Sequence, residues 1–334
     1  LFPYTTLFRS MNSMNSRYFD VDNYLITASE ITGPWSEPVY LHSAGFDASI
    51  LHDTDGKKWI VSLEWETREG YEKPGAICLV EYSPQTRSVV GYPQRIWRGG
   101  TDRGCIEAPH LTRRGDYYYL MVAEGGTGYG HAVTMARATQ VAGPYEGDPQ
   151  NPIVTSWPEN FNARHDADHL KPHYFNPQTY LQKAGHGSYV ETPTGEVWLT
   201  HLCSRPFRQA LRCPLGRETA IQKMVWSDDG WLRMAARGNL AQHQVEESNL
   251  PSQPFPAKPD RDDFDGQTLD NAFYAPRIRF QRFTSLERKA GYLALRGQES
   301  LSSLNKVSLL AKKLTSVYAT IVTKMDFSPE IYQH

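Results

Sequence analysis

The sequence predicts an all-β protein built of repeated sheets, on three observations. Between residues 17 and 235, short alternating or apolar runs rich in Tyr, Trp, Val and Ile are separated by Gly, Pro, Asp and Asn turns, the pattern of strands joined by tight turns. Helical periodicity is almost absent from the same stretch. Segments also repeat: ITASEITGPWSEPVYL (26–41) returns as MARATQVAGPYEGDPQNPIV (135–154), with Ala28, Gly33, Pro34 and Trp35 matched by Ala138, Gly143, Pro144 and Tyr145. Repeats at this spacing imply a solenoid or propeller.

Composition narrows the function. The chain has 334 residues, is 40% hydrophobic and 12% aromatic, and sets 35 Lys+Arg against 37 Asp+Glu, so it can bury a sizeable core and is nearly neutral. No apolar run approaches the roughly 18 residues of a membrane helix, and no basic block suggests a nucleic-acid or lipid surface; neither partner is expected. Cys78, Cys105, Cys203 and Cys213 show no CxxC spacing, which favours free thiols in a reduced compartment, the cytoplasm, over a disulfide framework or zinc site. A Cys203–Cys213 bridge is the alternative.

In chain order, LFPYTTLFRS (1–10) matches, residue for residue, a reading frame of a widely used sequencing adapter. It is set aside as a non-native leader, which also leaves a signal peptide open. The other end, TKMDFSPEIYQH, stops soon after a strand-like stretch, so the chain is expected to be a piece cut on both sides. Residues 11–240 carry the repeated strands, 241–260 read as a linker and 261–334 as the start of a further domain.

Three segments share a polar residue entering a strand and a Gly-containing turn into an aromatic strand: DASILHDTDGKKWIV from Asp47, EAPHLTRRGDYYYLM from Glu107 and HGSYVETPTGEVWLT from His186. Asp47, Glu107 and His186 are thus predicted to occupy one position in successive repeats. In a propeller, such positions on the innermost strands converge on the central channel. RETAIQKMVWSDDGW places Arg217 at a corresponding strand start, with a looser match. One such residue alone is most often a solvated turn residue. Four strong hydrogen-bonding types together predict a shared polar site.

Two carboxyls, an imidazole and a guanidinium among aromatics suit a polyhydroxylated neutral ligand. Glycoside hydrolysis needs one protonated carboxylic acid for the leaving oxygen and one ionised carboxylate. Glu107, between Ile106 and Ala108, would be desolvated, and Asp47 nearby would act as a like charge; both raise its pKa toward proton donation. Trp65, in SLEWETR, is a candidate wall of the sugar pocket or a core residue. AEGGTGYGHA (123–132) lacks the Lys and Ser/Thr of a phosphate loop and no helix follows; its Glu124 would bond backbone or substrate. ARHDADHLKPH (163–173) gathers His165, Asp166, Asp168, His169 and His173, but the spacing fits no regular ligand set and the surroundings read as a solvated loop.

GFDASILHDTDGKKWIVSLEWE, EAPHL, YYYLMVAEGGTGYGHAVTMARA, GHGSYVET, HLCSRP and LGRETAIQKMVWSDDGW together resemble glycoside hydrolase family 43, of the β-xylosidase and α-L-arabinofuranosidase type, from about Tyr18 to Met234. The resemblance implies a five-bladed β-propeller, here without its first blade and part of its second. RDDFDGQTLDNAFYAPRI and the residues after it, within 261–334, resemble the first strands of the β-sandwich that follows the propeller in the xylosidase branch.

The family inverts configuration with three acids. The resemblance makes Glu107 the general acid and Asp47 the residue that orients it and tunes its pKa, with His186 and Arg217 lining the sugar subsite and Phe46 packing on the ring. The family's general base, an aspartate early in the first blade, has no counterpart in this chain. Asp20 and Asp22 match a later strand and do not inherit the role. The expectation is an inverting exo-β-1,4-xylosidase acting on short xylo-oligosaccharides, with this fragment nearly inactive. An arabinofuranosidase or dual-activity enzyme acting on arabinosides is one alternative, and a noncatalytic carbohydrate-binding propeller another. Some family members hold calcium or another ion in the channel; with Arg217 supplying positive charge there, no metal and no cofactor is expected. Nothing in the sequence sets an oligomeric state.

Overall fold

The computed structural model describes residues 7–14, 21–66, 68, 70–71, 75–160, 174–207 and 209–331, with side chains from residue 21 onward. Asp20 and the segment 163–173 lie outside the described residues. The fold is all-β: among the described residues helical structure is confined to short 3-10 turns such as Phe280–Arg282, and no helix there is long and apolar enough to cross a membrane. The chain divides into two compact units, Leu1–Leu250 and Pro251–His334.

The first unit is a series of antiparallel meanders. Sheet I holds β1 (Leu7–Met14), β2 (Val21–Ala28) and β3 (Val39–His42) in that order. Residues 7–10, set aside above as a leader, form the first half of β1 and pair with residues 25–28 of β2. Sheet II runs β4 (Ser49–His52), β5 (Lys58–Leu63), β6 (Ile77–Ser83), β7 (Ser88–Trp97). Sheet III runs β8 (Glu107–Arg114), β9 (Tyr117–Glu124), β10 (Ala132–Ala138), β11 (Glu146–Gly147), with β12 (Val154–Thr155) also paired to β10. Sheet IV runs β13 (Gln182–Glu191), β14 (Val197–Ser204), β15 (Glu218–Trp226), β16 (Leu232–Met234).

Sequence explains both the inner and the outer strands. β9, YYYLMVAE, is buried beyond its first residue, because a strand covered on both faces has no position for alternating polar residues. Tyr118, Leu120 and Val122 join the core shared with sheet II, while Tyr119 and Met121 join the core shared with sheet IV. The alternation of side chains across a strand sends them to opposite faces. Leu25, Leu41, Ile60, Val80 and Tyr82 form the equivalent core between sheets I and II. Outermost β7 is largely exposed and carries Gly91 and Pro93 at a register shift against β6, as suits an edge strand that cannot use every ladder donor.

The repeat read from the sequence has a structural counterpart. Gly33 and Gly143 have φ of 87° and 93°, each preceding a cis proline. Their N–H groups donate to Glu30 O and Gln140 O, both at 2.9 Å. The same left-handed turn therefore closes the strand in sheets I and III, and glycine meets its positive φ without steric cost.

The boundary between units falls inside the stretch expected as a linker, because the first half of 241–260 is held to sheet IV. Gln222 Nε2 donates to Gln242 O at 3.0 Å and Asn249 N–H to Glu196 Oε2 at 2.8 Å. In the second unit, β17 (Phe273–Tyr274) pairs with β20 (Ala311–Lys312) and β18 (Thr284–Ser285) with β19 (Ala294–Leu295), around buried Phe283 and Val307.

Candidate active site

Sheets II, III and IV each carry a bulge along, or just ahead of, their first strand. In sheet II, Leu63 N–H bonds to Phe46 O at 3.0 Å while Ser49 pairs with Val61. In sheet III, Glu107 pairs with Ala123 and His110 with Met121. In sheet IV, Gly185 pairs with Leu202 and Ser188 with Thr200. Each time, three steps along the first strand span two along its partner. The residue just inside the bulge is left-handed: Asp47 at φ 55°, Ala108 at 52° and His186 at 55°. Bulges of this kind re-aim side chains and recur beside active sites.

This register corrects one expectation. Asp47 and His186 share a position, but its counterpart in sheet III is Ala108, and Glu107 stands one residue upstream, level with Phe46 and Gly185. The extra residue of the bulge cannot be counted from the sequence of one strand. Arg217 also differs from expectation: it precedes β15, the third strand of sheet IV, and not an innermost strand. It still reaches the same field, since its charge acts on Asp47, Glu107 and His186.

The two carboxyls lie within each other's electrostatic reach. Ala108 N–H donates to Asp47 Oδ2 at 3.2 Å, tying sheet II to sheet III at the residue after Glu107, and Ser49 Oγ donates to Pro109 O at 2.7 Å. Burial, and after it the Asp47 charge, push Glu107 up to about 7, with Arg217 working the other way. Asp47 is itself raised by burial, against His186, the Ala108 N–H and Arg217. Burial holds His186 below the usual imidazole range, opposed by Asp47 and aided by Arg217. Partial burial and the like charge of the pair both favour the protonated form of Glu107.

An aromatic wall stands beside Asp47. Phe46 and Trp65 have ring centroids 5.1 Å apart, and Trp65 is 36% exposed, so its face is open on one side. Gly45 makes this packing feasible: a Cβ there would lie 1.9 Å from Leu63 O.

Glu124 does not belong with the ligand-facing residues. It is 0% exposed, and its carboxylate accepts from Gly100 N–H (2.7 Å), Thr101 N–H (3.0 Å), Thr101 Oγ1 (2.5 Å) and Thr134 Oγ1 (2.7 Å). Its lone pairs are spent on protein donors, which corrects the reading of Glu124 as a substrate contact. Three neighbours of the site were missed in the sequence. Arg103 is fully buried; Cys105 is pushed up to about 11 by burial and by Glu107; His131 is held down at about 3 by burial. His131 also packs so tightly that a Cβ on Gly185 would meet its ring at 2.4 Å. A single arginine in a Gly-rich linker and a histidine after a glycine run offer no periodic signal. Among the described residues no group of His, Cys, Asp and Glu could hold a metal ion, and none of the four cysteines forms a disulfide.

Fold and site together define an all-β protein with a half-buried carboxyl pair, an imidazole and a guanidinium drawn from three successive sheets. Residues 2–232 match Glycosyl hydrolases family 43 and residues 261–334 match the Beta xylosidase C-terminal Concanavalin A-like domain; the chain belongs to glycosyl hydrolase family 43. It is 40% identical to the Beta-xylosidase of Bacillus subtilis over 98% of this chain and 60% of that protein. It is 38% identical to Xylosidase/arabinosidase 43B of Humicola insolens over 97% of this chain and 56% of the relative. The solved structure of xylan beta-1,4-xylosidase from Bacillus halodurans C-125 superposes with a TM-score of 0.83 at 44% identity, covering 93% of this chain and 56% of that one. The chain therefore spans little more than half the length of the relatives it matches.

Proposed function

We propose that the protein to which this chain belongs is an inverting exo-β-1,4-xylosidase acting on short xylo-oligosaccharides, with Glu107 as general acid. The observation that carries this reading is that Asp47 is bonded to the residue after Glu107 and acts on its carboxyl. A carboxyl raised to about 7 is still substantially protonated at neutral pH and can protonate a departing glycosidic oxygen. Asp47, braced by the Ala108 N–H, keeps the donor protonated and aligned. His186 and Arg217 supply donors for sugar hydroxyls, and Phe46 with Trp65 a surface for the ring.

In the reaction, the Glu107 proton passes to the leaving oxygen as the bond to the anomeric carbon breaks. Water attacks that carbon from the opposite face, giving its proton to a carboxylate base. We assign no residue of this chain to that base; the sheets described here would form part of a five-bladed ring. Loss of a general base removes roughly 10²- to 10⁴-fold in rate, so the chain alone should cleave aryl β-xylosides only weakly. No metal or cofactor enters this scheme. The free thiols support a reduced compartment, the cytoplasm.

Azide tests the assignment, because an anionic nucleophile needs no base. With an aryl β-xyloside, azide should restore release of the phenol and yield the α-xylosyl azide. A β-configured azide, or no azide-dependent release by a chain that still binds xylose, would contradict it. A second reading, an α-L-arabinofuranosidase or dual enzyme, is favoured by the names of relatives such as the Non-reducing end alpha-L-arabinofuranosidase BoGH43B of Bacteroides ovatus, 31% identical over 92% of this chain. The ratio of azide-restored rates on aryl xyloside and aryl arabinofuranoside separates the two.

A further inference from the structure

The linker that delivers Glu107 holds a backbone conformation it would not keep alone. Residues 98–106, between β7 and β8, read RGGTDRGCI. Gly99, Gly104 and Cys105 have φ of 111°, 68° and 48°, and Ala108 follows at 52°. Cys105 and Ala108 carry side chains in the left-handed region on either side of Glu107. Each such residue is strained, and the conformation persists only where the surroundings impose it.

The imposing groups are Glu124 and Arg103. Glu124 follows Ala123, the residue opposite Glu107 across β8 and β9. From there its carboxylate grips the linker at the Gly100 and Thr101 N–H groups and the Thr101 hydroxyl, and is itself held by Thr134 of β10. Thr101 Oγ1 in turn accepts from Arg103 N–H at 3.2 Å, and Gly125 N–H donates to Gly104 O at 2.7 Å. Arg103, 1% exposed, runs inward and donates to Gly130 O (2.8 Å), Trp157 O (2.7 Å) and Glu159 O (3.1 Å). The linker is pinned up to Gly104, and Ala108 is pinned by Asp47; Glu107 sits between the two clamps. A carboxylate suits the first clamp because both its oxygens only accept, whereas an amide would turn its own N–H groups toward one set of donors.

We infer that Glu124, acting with Arg103 through the 98–106 linker, is a positioning residue that sets the Glu107 carboxyl against Asp47. The inference rests on Glu107 being the proton donor. The charged and titratable groups facing Glu107 are Asp47 from the start of sheet II, Arg217 from sheet IV and Cys105 from the linker itself. None is altered by a change at Thr101 or Glu124.

The test is a carboxyl-carbon NMR titration of the full chain labelled at glutamate, with the Glu107 signal identified by its loss in Glu107→Gln. In the unmodified chain the midpoint is expected near 7. Glu124→Gln should lower it by about one unit as the linker slackens and water reaches the carboxyl. Thr101→Val, which removes one donor and no charge, should shift it the same way by less, and it decides the matter if Glu124→Gln fails to fold. A midpoint near 7 that stays put in the folded variants, with only the unfolding temperature falling, overturns the inference and leaves the acid assignment standing. A midpoint in the ordinary carboxyl range in the unmodified chain overturns the acid assignment, and the inference falls with it.

Discussion

Half-buried Glu107 and fully buried Glu124 show how environment divides two glutamates. Burial raises both, but Glu124 is surrounded by four donors that favour its charged form, whereas Glu107 faces a second carboxylate. The consequence for stability follows from proton linkage. Folded Glu107 binds its proton more tightly than the unfolded chain does, at about 7 against an ordinary 4.5. Below the unfolded value both states are protonated and nothing is lost. As pH climbs from 4.5 through 7 the buried charge costs progressively more, on the order of 3 kcal/mol once complete. Glu107→Gln should therefore stabilise the chain at pH 8 by about 1 to 3 kcal/mol and change little at pH 5. Urea midpoints at the two pH values check this; a larger gain at pH 5 would contradict it.

At the scale of the element, the site depends on bulges that open each innermost strand and on the glycines that let them pack. Gly45 is the sharpest case. Its missing Cβ is occupied by a backbone carbonyl, Leu63 O, which cannot rotate away as a side chain would. Gly45→Ala should cost roughly 3 kcal/mol or more and disturb the Phe46–Trp65 wall. A urea midpoint within about 0.5 kcal/mol of the unmodified chain would show that β4 and β5 part more freely than their register implies. The strands themselves were legible in the sequence, because a polar residue followed by a Gly turn and an aromatic run recurs three times. The one-residue offset of Glu107 was not, since a bulge is a relation between two strands. Nor was the rank of Arg217's strand, because the start of a third strand reads like the start of a first. Glu124 was misassigned for a related reason: the donors that consume its carboxylate come from Gly100, Thr101 and Thr134, two of them far away in sequence and all of ordinary type.

At the scale of the molecule, the fold brings together residues 47, 107, 186 and 217, which the chain separates by 60 residues or more for the first two. Successive sheets share apolar cores face to face, which brings the polar residues at or near the starts of their first strands toward one site. Fold class and the approach of Asp47, Glu107 and His186 to one site could be read from repetition, though not the exact position of Glu107 or the strand that carries Arg217. Which residues brace them could not, because Arg103 and Glu124 act through linker backbone. Function rests on sheets II and III setting Asp47 against Glu107 in one half-buried site. The most direct measurement is the Glu107 carboxyl titration compared between the unmodified chain and Asp47→Asn. A midpoint near 7 that falls when the Asp47 charge is removed is the predicted result. An ordinary carboxyl midpoint, the same in both proteins, would contradict it.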